Sequence, residues 1–195
     1  MLTRRALLAA PTLLVTPASV TRAAIDLNVA AGRYRIDPSR TVTEFSVGQV
    51  GGKGISGQFT SLNGEIAIDP TDVRRSSVSV IIDTASVSTG DASTDNFIRG
   101  PSVFDTKKHP KAEFASRSVQ QVSDRAATVQ GRLTVRAISQ RLALAVALED
   151  FDAGKEAVFT ANTSFFRSLY GMDAGFPFYK NEVSLSIRAV CTKIG

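Results

Sequence analysis

The stretch GRLTVRAISQRLALAVALED, Gly131 to Asp150, decides the fold. Its second half sets Leu142, Leu144, Val146 and Leu148 on alternate positions, with Ala143, Ala145 and Ala147 between them. Leu and Ala are strong helix formers, so composition alone argues for a helix. Helical spacing would scatter the leucines around a cylinder, whereas a period of two gathers them on one face. The preceding GRLTV alternates as well, so the segment reads as two strands of a hairpin. One face is large and aliphatic and the other is small.

The same period recurs outward from this hairpin. TVTEFSVGQV (41–50), SSVSVIID (76–83), AEFASRSVQQV (112–122), EAVFTANTSF (156–165) and NEVSLSIRAV (181–190) all alternate. GKGISGQFTSLNGEIAID (52–69) reads as two short strands, with Asn63-Gly64 as a hairpin signal. Ser, Thr and β-branched residues are frequent in these runs, as strands favour. About nine strand segments result. Helix is sparse: TGDASTDNFIRG (89–100) predicts a short one, opened by an Asp or Ser cap and closed at Gly100, and FFRSLYGM (165–172) predicts a further turn. The predicted class is all-β, an antiparallel barrel or sandwich with one or two short helical insertions. Inward positions include Phe45, Val47, Ile66, Ile82, Phe114, Leu133, Val135, Leu142, Leu144, Val146, Phe159, Leu185 and Ile187. A closed barrel of eight strands either fills with such side chains or holds one small ligand, and pattern alone leaves both open.

The chain has 195 residues, with 43% hydrophobic and 21% charged, a globular composition. Its first 23 residues place Arg4 and Arg5 before an apolar run and small residues, the order of a secretory signal. The adjacent arginines also suit the twin-arginine route, so Sec and Tat export both stand. The expected organisation is a signal peptide over residues 1–23 and one barrel domain over 24–195, with the protein in the periplasm. The signal carries three arginines and no acid, so its removal takes the net charge from +5 to +2. That small charge argues against a nucleic-acid partner. The single cysteine, Cys191, has no partner for an internal disulfide and reads as a buried thiol, with a disulfide-linked dimer as the rival.

Catalytic motifs are missing. There is no G-x-S-x-G elbow, Walker loop or HExxH, and His109 is the only histidine. One histidine without cysteine partners makes no zinc site, so no metal is expected. Asp91 and Asp95 read as solvated caps. The outer faces, such as Glu182, Ser184, Ser186 and Arg188, are polar, which argues against an outer-membrane barrel.

Several stretches in order, YRIDPSRTVTEFSV (34–47), GQFTSLNGEIAID (57–69), DTASVSTGDASTDNFI (83–98), FDTKKHPKAEFAS (104–116), GRLTVRAISQRLALAV (131–146) and FRSLYGM (166–172), resemble the YceI-like family of exported polyisoprenoid-binding proteins. The most specific parts are Ser86-Val87-x-Thr89-Gly90, His109-Pro110-x-Ala112-x-Phe114 and Gly131-x-Leu133-Thr134. The resemblance implies an eight-stranded antiparallel, lipocalin-like β-barrel with an apolar tunnel. It also implies a binding or carrier protein for a long-chain isoprenoid, quinone or similar amphiphilic lipid, with no enzyme activity and no cofactor. On that reading the tunnel wall is Phe45, Phe114, Leu133, Leu144, Val146, Phe159 and Leu185. Phe97, Ile98, Phe104, Arg167, Phe176 and Phe178 form the tunnel ends or lid. The partner is a long-chain lipid, and contact with a membrane surface or membrane protein, and a homodimer, stay open. The rival readings are a lipid-acting enzyme using His109 or a mouth carboxylate, and a stress-related structural module with a filled core. The chain departs from the family pattern at Gln49, Thr94, Ala137 and Leu169-Tyr170, near turns and the expected mouth.

Overall fold

The computed structural model describes residues 30–69, 71–152 and 154–194. Eleven strands are present among them: β1 (Gly32–Ile36), β2 (Val42–Gln49), β3 (Gly52–Phe59), β4 (Leu62–Ile68), β5 (Ser77–Asp83), β6 (Val87–Ser88), β7 (Lys111–Ser123), β8 (Ala126–Val135), β9 (Ile138–Asp152), β10 (Glu156–Phe166) and β11 (Tyr179–Lys193). One α-helix, α1 (Ala92–Arg99), and 3-10 turns at Val73–Arg75, Thr84–Ser86 and Arg167–Tyr170 complete the described elements.

Eight strands close a ring in the order β1-β4-β5-β7-β8-β9-β10-β11, and the β1–β11 pairing seals it. The seal is short: Tyr34 faces Lys193, Arg35 faces Thr192 and Ile36 faces Cys191. β11 is long enough to pair with β1 near its C-terminus and with β2 along its N-terminal half. Between β1 and β2 the chain is pinned by the Asp37 amide, which donates to the Val190 carbonyl at 2.8 Å.

β3 and β4 succeed each other in the same direction with a jog between them. Ser86 holds the jog: its carbonyl accepts from the Thr60 amide and its Oγ accepts from the Ser61 amide. The hairpin expected at Asn63-Gly64 is therefore corrected. Both residues lie inside β4, paired with Ile81 and Val80. Gly64 is small because Ile36 packs where its Cβ would stand, 2.7 Å from Ile36 Cδ1.

The β8–β9 hairpin takes the tight form. Val135 pairs with Ile138, leaving Arg136 and Ala137 as a two-residue turn, both at positive φ (51° and 62°). β9 keeps its period of two, with Leu142 and Leu144 buried and Ala143 and Ala145 exposed. One extra residue, Glu149, then shifts the register just after Leu148. Arg125 clamps this bulge by donating to the Leu148 and Glu149 carbonyls.

The ring has unequal ends. At the closed end all eight strands pair, and Tyr34, Leu148 and Phe159 pack among Ile36, Ile66 and Cys191. At the other end β6 pairs only with β3, so the sheet opens between β6 and β7. α1 and the 101–110 segment cover the opening, with Ile98 packed against Phe45, Phe59, Val87 and Val183.

Candidate functional site

An apolar cavity of about 120 Å³ lies at the open end. β2 and β3 contribute Phe45, Val47, Ile55 and Phe59; β5, β7 and β8 contribute Ile82, Ala112, Leu133 and Val135. β10 and β11 add Phe165, Val183 and Leu185, and the covering segment adds Phe97, Ile98, Val103 and Phe104. Arg167, Met172, Ala174 and Tyr179 complete the wall. Of these nineteen residues only Arg167 and Tyr179 carry a polar side-chain atom, so the space suits hydrocarbon rather than a polar substrate. An engineered cavity of about 150 Å³ admits benzene, so the observed space corresponds to a group of a few carbon atoms.

The helical cover is fastened by its own sequence. Asp91 caps α1 by accepting from the Thr94 amide. Asp95, buried, accepts from both the amide and the hydroxyl of Thr89 at 2.7 Å. Arg99 donates to the Ala85 and Val87 carbonyls. Thr84 reaches across to the His109 carbonyl at 2.7 Å, and its amide donates to Pro110. The Ser86–Gly90 and His109–Pro110 motifs thus seat the cover, the first through the Ser86 and Thr89 side chains as well as backbone and the second through its two carbonyls. Phe104 meets Phe59 edge to face at 5.8 Å, and Phe59 meets Phe45 at 5.5 Å, which ties cover to barrel.

Arg167 is the one charged side chain on the wall. It is 6% exposed and donates to four carbonyls, those of Met172, Ala174, Tyr179 and Lys180. It thereby ties the 172–180 segment to the end of β10, and its guanidinium lies 4.5 Å from the Phe176 ring centroid. Burial pushes its pKa down from the ordinary arginine value and Asp173 pushes it back up. Arginine nevertheless stays charged in proteins. Next to it Tyr170 packs edge on to Phe165. Burial pushes the Tyr170 phenol up to about 12, and its hydroxyl has no protein partner.

The residues expected from sequence divide between cavity and packing. Phe45, Leu133, Leu185, Phe97, Ile98, Phe104 and Arg167 meet at the cavity. Phe114, Leu144 and Phe159 are buried in the packed interior and Val146 packs against it, away from the cavity wall. The tunnel expected along the barrel is thus narrowed to one end, because aromatic rings fill the other. Phe178 is exposed, and Phe176 stacks on the outer side of Arg167.

Val47, Ile82 and Val135 were legible as inward residues without being assigned to the wall. Phe59, Phe165 and Met172 were not, since they lie at strand ends or in loops where alternation stops.

Other expectations find their places. Cys191 is fully buried and burial pushes its thiol up to about 12, so the disulfide-linked dimer has no accessible thiolate to use. Among the described residues no group of three or more His, Cys, Asp or Glu side chains could hold a metal, and no helix is long and apolar enough to cross a membrane. The signal peptide expected over residues 1–23 lies outside the described residues.

Comparison with known proteins adds to this geometry. A family model described as the YceI-like domain matches residues 34–191. A UPF0312 protein of Shewanella sp. (strain W3-18-1) is 28% identical over 174 residues, covering 85% of this chain and 91% of the relative. A UPF0312 protein of Shewanella putrefaciens is 30% identical over 169 residues, covering 83% and 88%. Among solved structures, BcnA of Burkholderia cenocepacia superposes with a TM-score of 0.73 at 21% identity, covering 80% of this chain and 98% of that one. A polyisoprenoid binding domain from Saccharophagus degradans, implicated in plant cell wall breakdown, superposes with a TM-score of 0.68 at 14% identity, covering 83% and 98%.

Proposed function

Because this chain belongs to the YceI-like domain family, we propose that it is a lipid-binding protein that carries one isoprenoid or similar long-chain amphiphile through the periplasm. The observation that supports the reading most directly is the cavity: seventeen apolar residues, one arginine and one tyrosine around a space that reaches the surface at Phe97. The polyisoprenoid binding domain named above shares the fold.

The energetics favour a chain over a small ligand. Each buried methylene contributes about 0.8 kcal/mol. The few carbons that fit the observed space contribute only about 4 kcal/mol on that scale, which the cost of association consumes. Ten or more methylenes yield about 8 kcal/mol, enough for useful affinity. Holding them requires the cover formed by α1 and residues 101–110 to yield. The ligand's polar head belongs beside Arg167, whose charge has no carboxylate within ion-pair distance among the described residues. A neutral or anionic head fits there and a cationic one does not. The reading is of binding rather than catalysis, and the fold uses the His109 carbonyl, which accepts from the Thr84 hydroxyl.

Native mass spectrometry of the protein from a periplasmic extract tests both halves. The expected result is a chain cleaved near Ala23 with one lipid bound, or one that takes up added farnesyl- or geranylgeranyl-type lipids. A chain retained in the cytoplasm with its first 23 residues intact defeats the export part. An empty chain that ignores long-chain lipids defeats the binding part.

A further inference from the structure

The described residues include eleven large hydrophobic side chains that are exposed, and six of them crowd one end of the molecule. Single exposed apolar residues are ordinary on protein surfaces, so the clustering is what matters. Val50 lies in the β2–β3 turn, Phe97 on α1, Ile138 at the start of β9, and Leu169, Phe176 and Phe178 in the segment between β10 and β11.

Contacts join them. The Val50 amide donates to the Phe178 carbonyl at 2.9 Å. Phe176 stacks on Arg167. Gln140 donates to the Leu169 carbonyl. Gly171 sits beside Ile138, a β-carbon there standing 3.9 Å from Ile138 Cδ1. Phe97 is at once 48% exposed and part of the cavity wall, so the apolar rim continues into the apolar interior.

The charges around the rim have one predominant sign. Lys53, Lys107, Arg136 and Lys180 have no carboxylate within ion-pair distance among the described residues. Arg136 instead braces the rim, donating to the Val103 and Gly171 carbonyls. Lys108 is neutralised by Asp105; Asp173 lies in the rim segment itself, and Glu182 and Glu113 stand a little inside it on β11 and β7. The two described chain ends, Ala30 and Ile194, lie at the closed end, so neither stands across the mouth.

We propose that this open end docks onto the surface of an anionic lipid bilayer. Aromatic and aliphatic side chains ringed by lysines match such a surface: the rings enter the headgroup boundary while the cations face anionic lipids. A large exposed apolar patch with a polar border marks an interaction site. Here it borders an apolar cavity, so docking would bring hydrocarbon to hydrocarbon without crossing water. The inference goes beyond lipid carriage and does not require it.

The full chain, mixed with sucrose-loaded vesicles of phosphatidylcholine with or without phosphatidylglycerol, provides the test. Co-sedimentation is expected with the anionic vesicles and should fall as salt rises. Lys53→Glu with Lys180→Glu should lower partitioning at least tenfold, since each basic residue near such a surface contributes about fivefold. The chain has no tryptophan, so Phe178→Trp and Val122→Trp give single reporters at the open and closed ends. Emission from Phe178→Trp should shift to the blue on anionic vesicles while Val122→Trp stays unchanged.

Equal sedimentation with both vesicle types, none with either, or a blue shift only at Val122→Trp overturns the proposal. So does a dimer in sedimentation velocity that Val50→Ser with Leu169→Ser abolishes, since the face would then belong to a second copy. A chain that carries lipid in native mass spectrometry yet ignores vesicles overturns docking and leaves carriage standing.

Discussion

The ring of Phe114 lies on Gly131, so close that a β-carbon at 131 would stand 2.5 Å from Phe114 Cζ and 2.5 Å from the Ala115 carbonyl oxygen. The two residues come from separate motifs, HPKAEF and GRLTV, and from neighbouring strands. Their contact fills the barrel interior just below Leu133, the last β8 residue toward the closed end that reaches the cavity.

Gly131→Ala should therefore cost more than an ordinary strand substitution. Both obstacles are rigid, one a neighbouring backbone oxygen and the other a buried ring. Overpacking of this kind costs about 1–3 kcal/mol or more. Urea unfolding monitored by far-UV circular dichroism checks it; a change within error of zero would mean that the interior relaxes freely here.

Cavity and packed interior should respond oppositely to substitution. Ala112→Phe projects a ring into the cavity and should abolish uptake of a long-chain lipid, with a stability change of about 1–3 kcal/mol at most. Leu144→Ala removes a side chain from the packed interior and should cost about 2–5 kcal/mol while leaving uptake intact. Paired lipid titrations and unfolding curves separate the two, and the reverse pattern would place the lipid in the other half.

Ala137 stands at φ +62° in a turn whose geometry favours glycine. Ala137→Gly should stabilise the protein by about 1 kcal/mol, since a β-carbon in the left-handed region is penalised by that order. A higher urea midpoint at unchanged slope is the expected reading.

Asp37 accepts from Ser39 and from Arg40, and these bonds, that of Ser39 foremost, hold its carboxyl at about 2. An unfolded Asp titrates near 3.9. A folded value below the unfolded one stabilises the fold above about pH 4, and this contribution is lost as pH falls through about 2. Asp37→Asn should thus be less stable than the parent at pH 7, with the gap closing between pH 4 and 2. Thermal midpoints across that range decide it, and a gap independent of pH would place the effect outside the carboxylate.

Tyr170 buries a hydroxyl with no protein partner. Leaving such a group unpaired costs about 1–3 kcal/mol, so Tyr170→Phe should be neutral or stabilising in the lipid-free protein. Calorimetry with and without added lipid extends the point: if the phenol serves the ligand's head, the variant should gain less from the lipid than the parent does.

The alternation of Leu142, Leu144, Val146 and Leu148 carried the reading a long way. It set strand against helix, inside against outside, and the all-β class. Cap chemistry at Asp91 and Gly100 bounded α1, and the eight-stranded count came from the family resemblance. Asn63-Gly64 misled because a dipeptide that favours tight turns also fits a strand where a neighbour, here Ile36, needs the room of a missing side chain.

What sequence could not divide was the interior itself. A period of two says that Phe45 and Phe114 both face inward and says nothing about which of them meets empty space. That depends on neighbours distant in the chain. Phe114 settles on Gly131 and fills its level of the barrel, while α1 and Phe104 span the gap between β6 and β7 and leave room beneath. Side-chain direction is a local property of the backbone and can be read from the chain. A cavity is the volume that all inward side chains together fail to fill, and only their packing in three dimensions determines it.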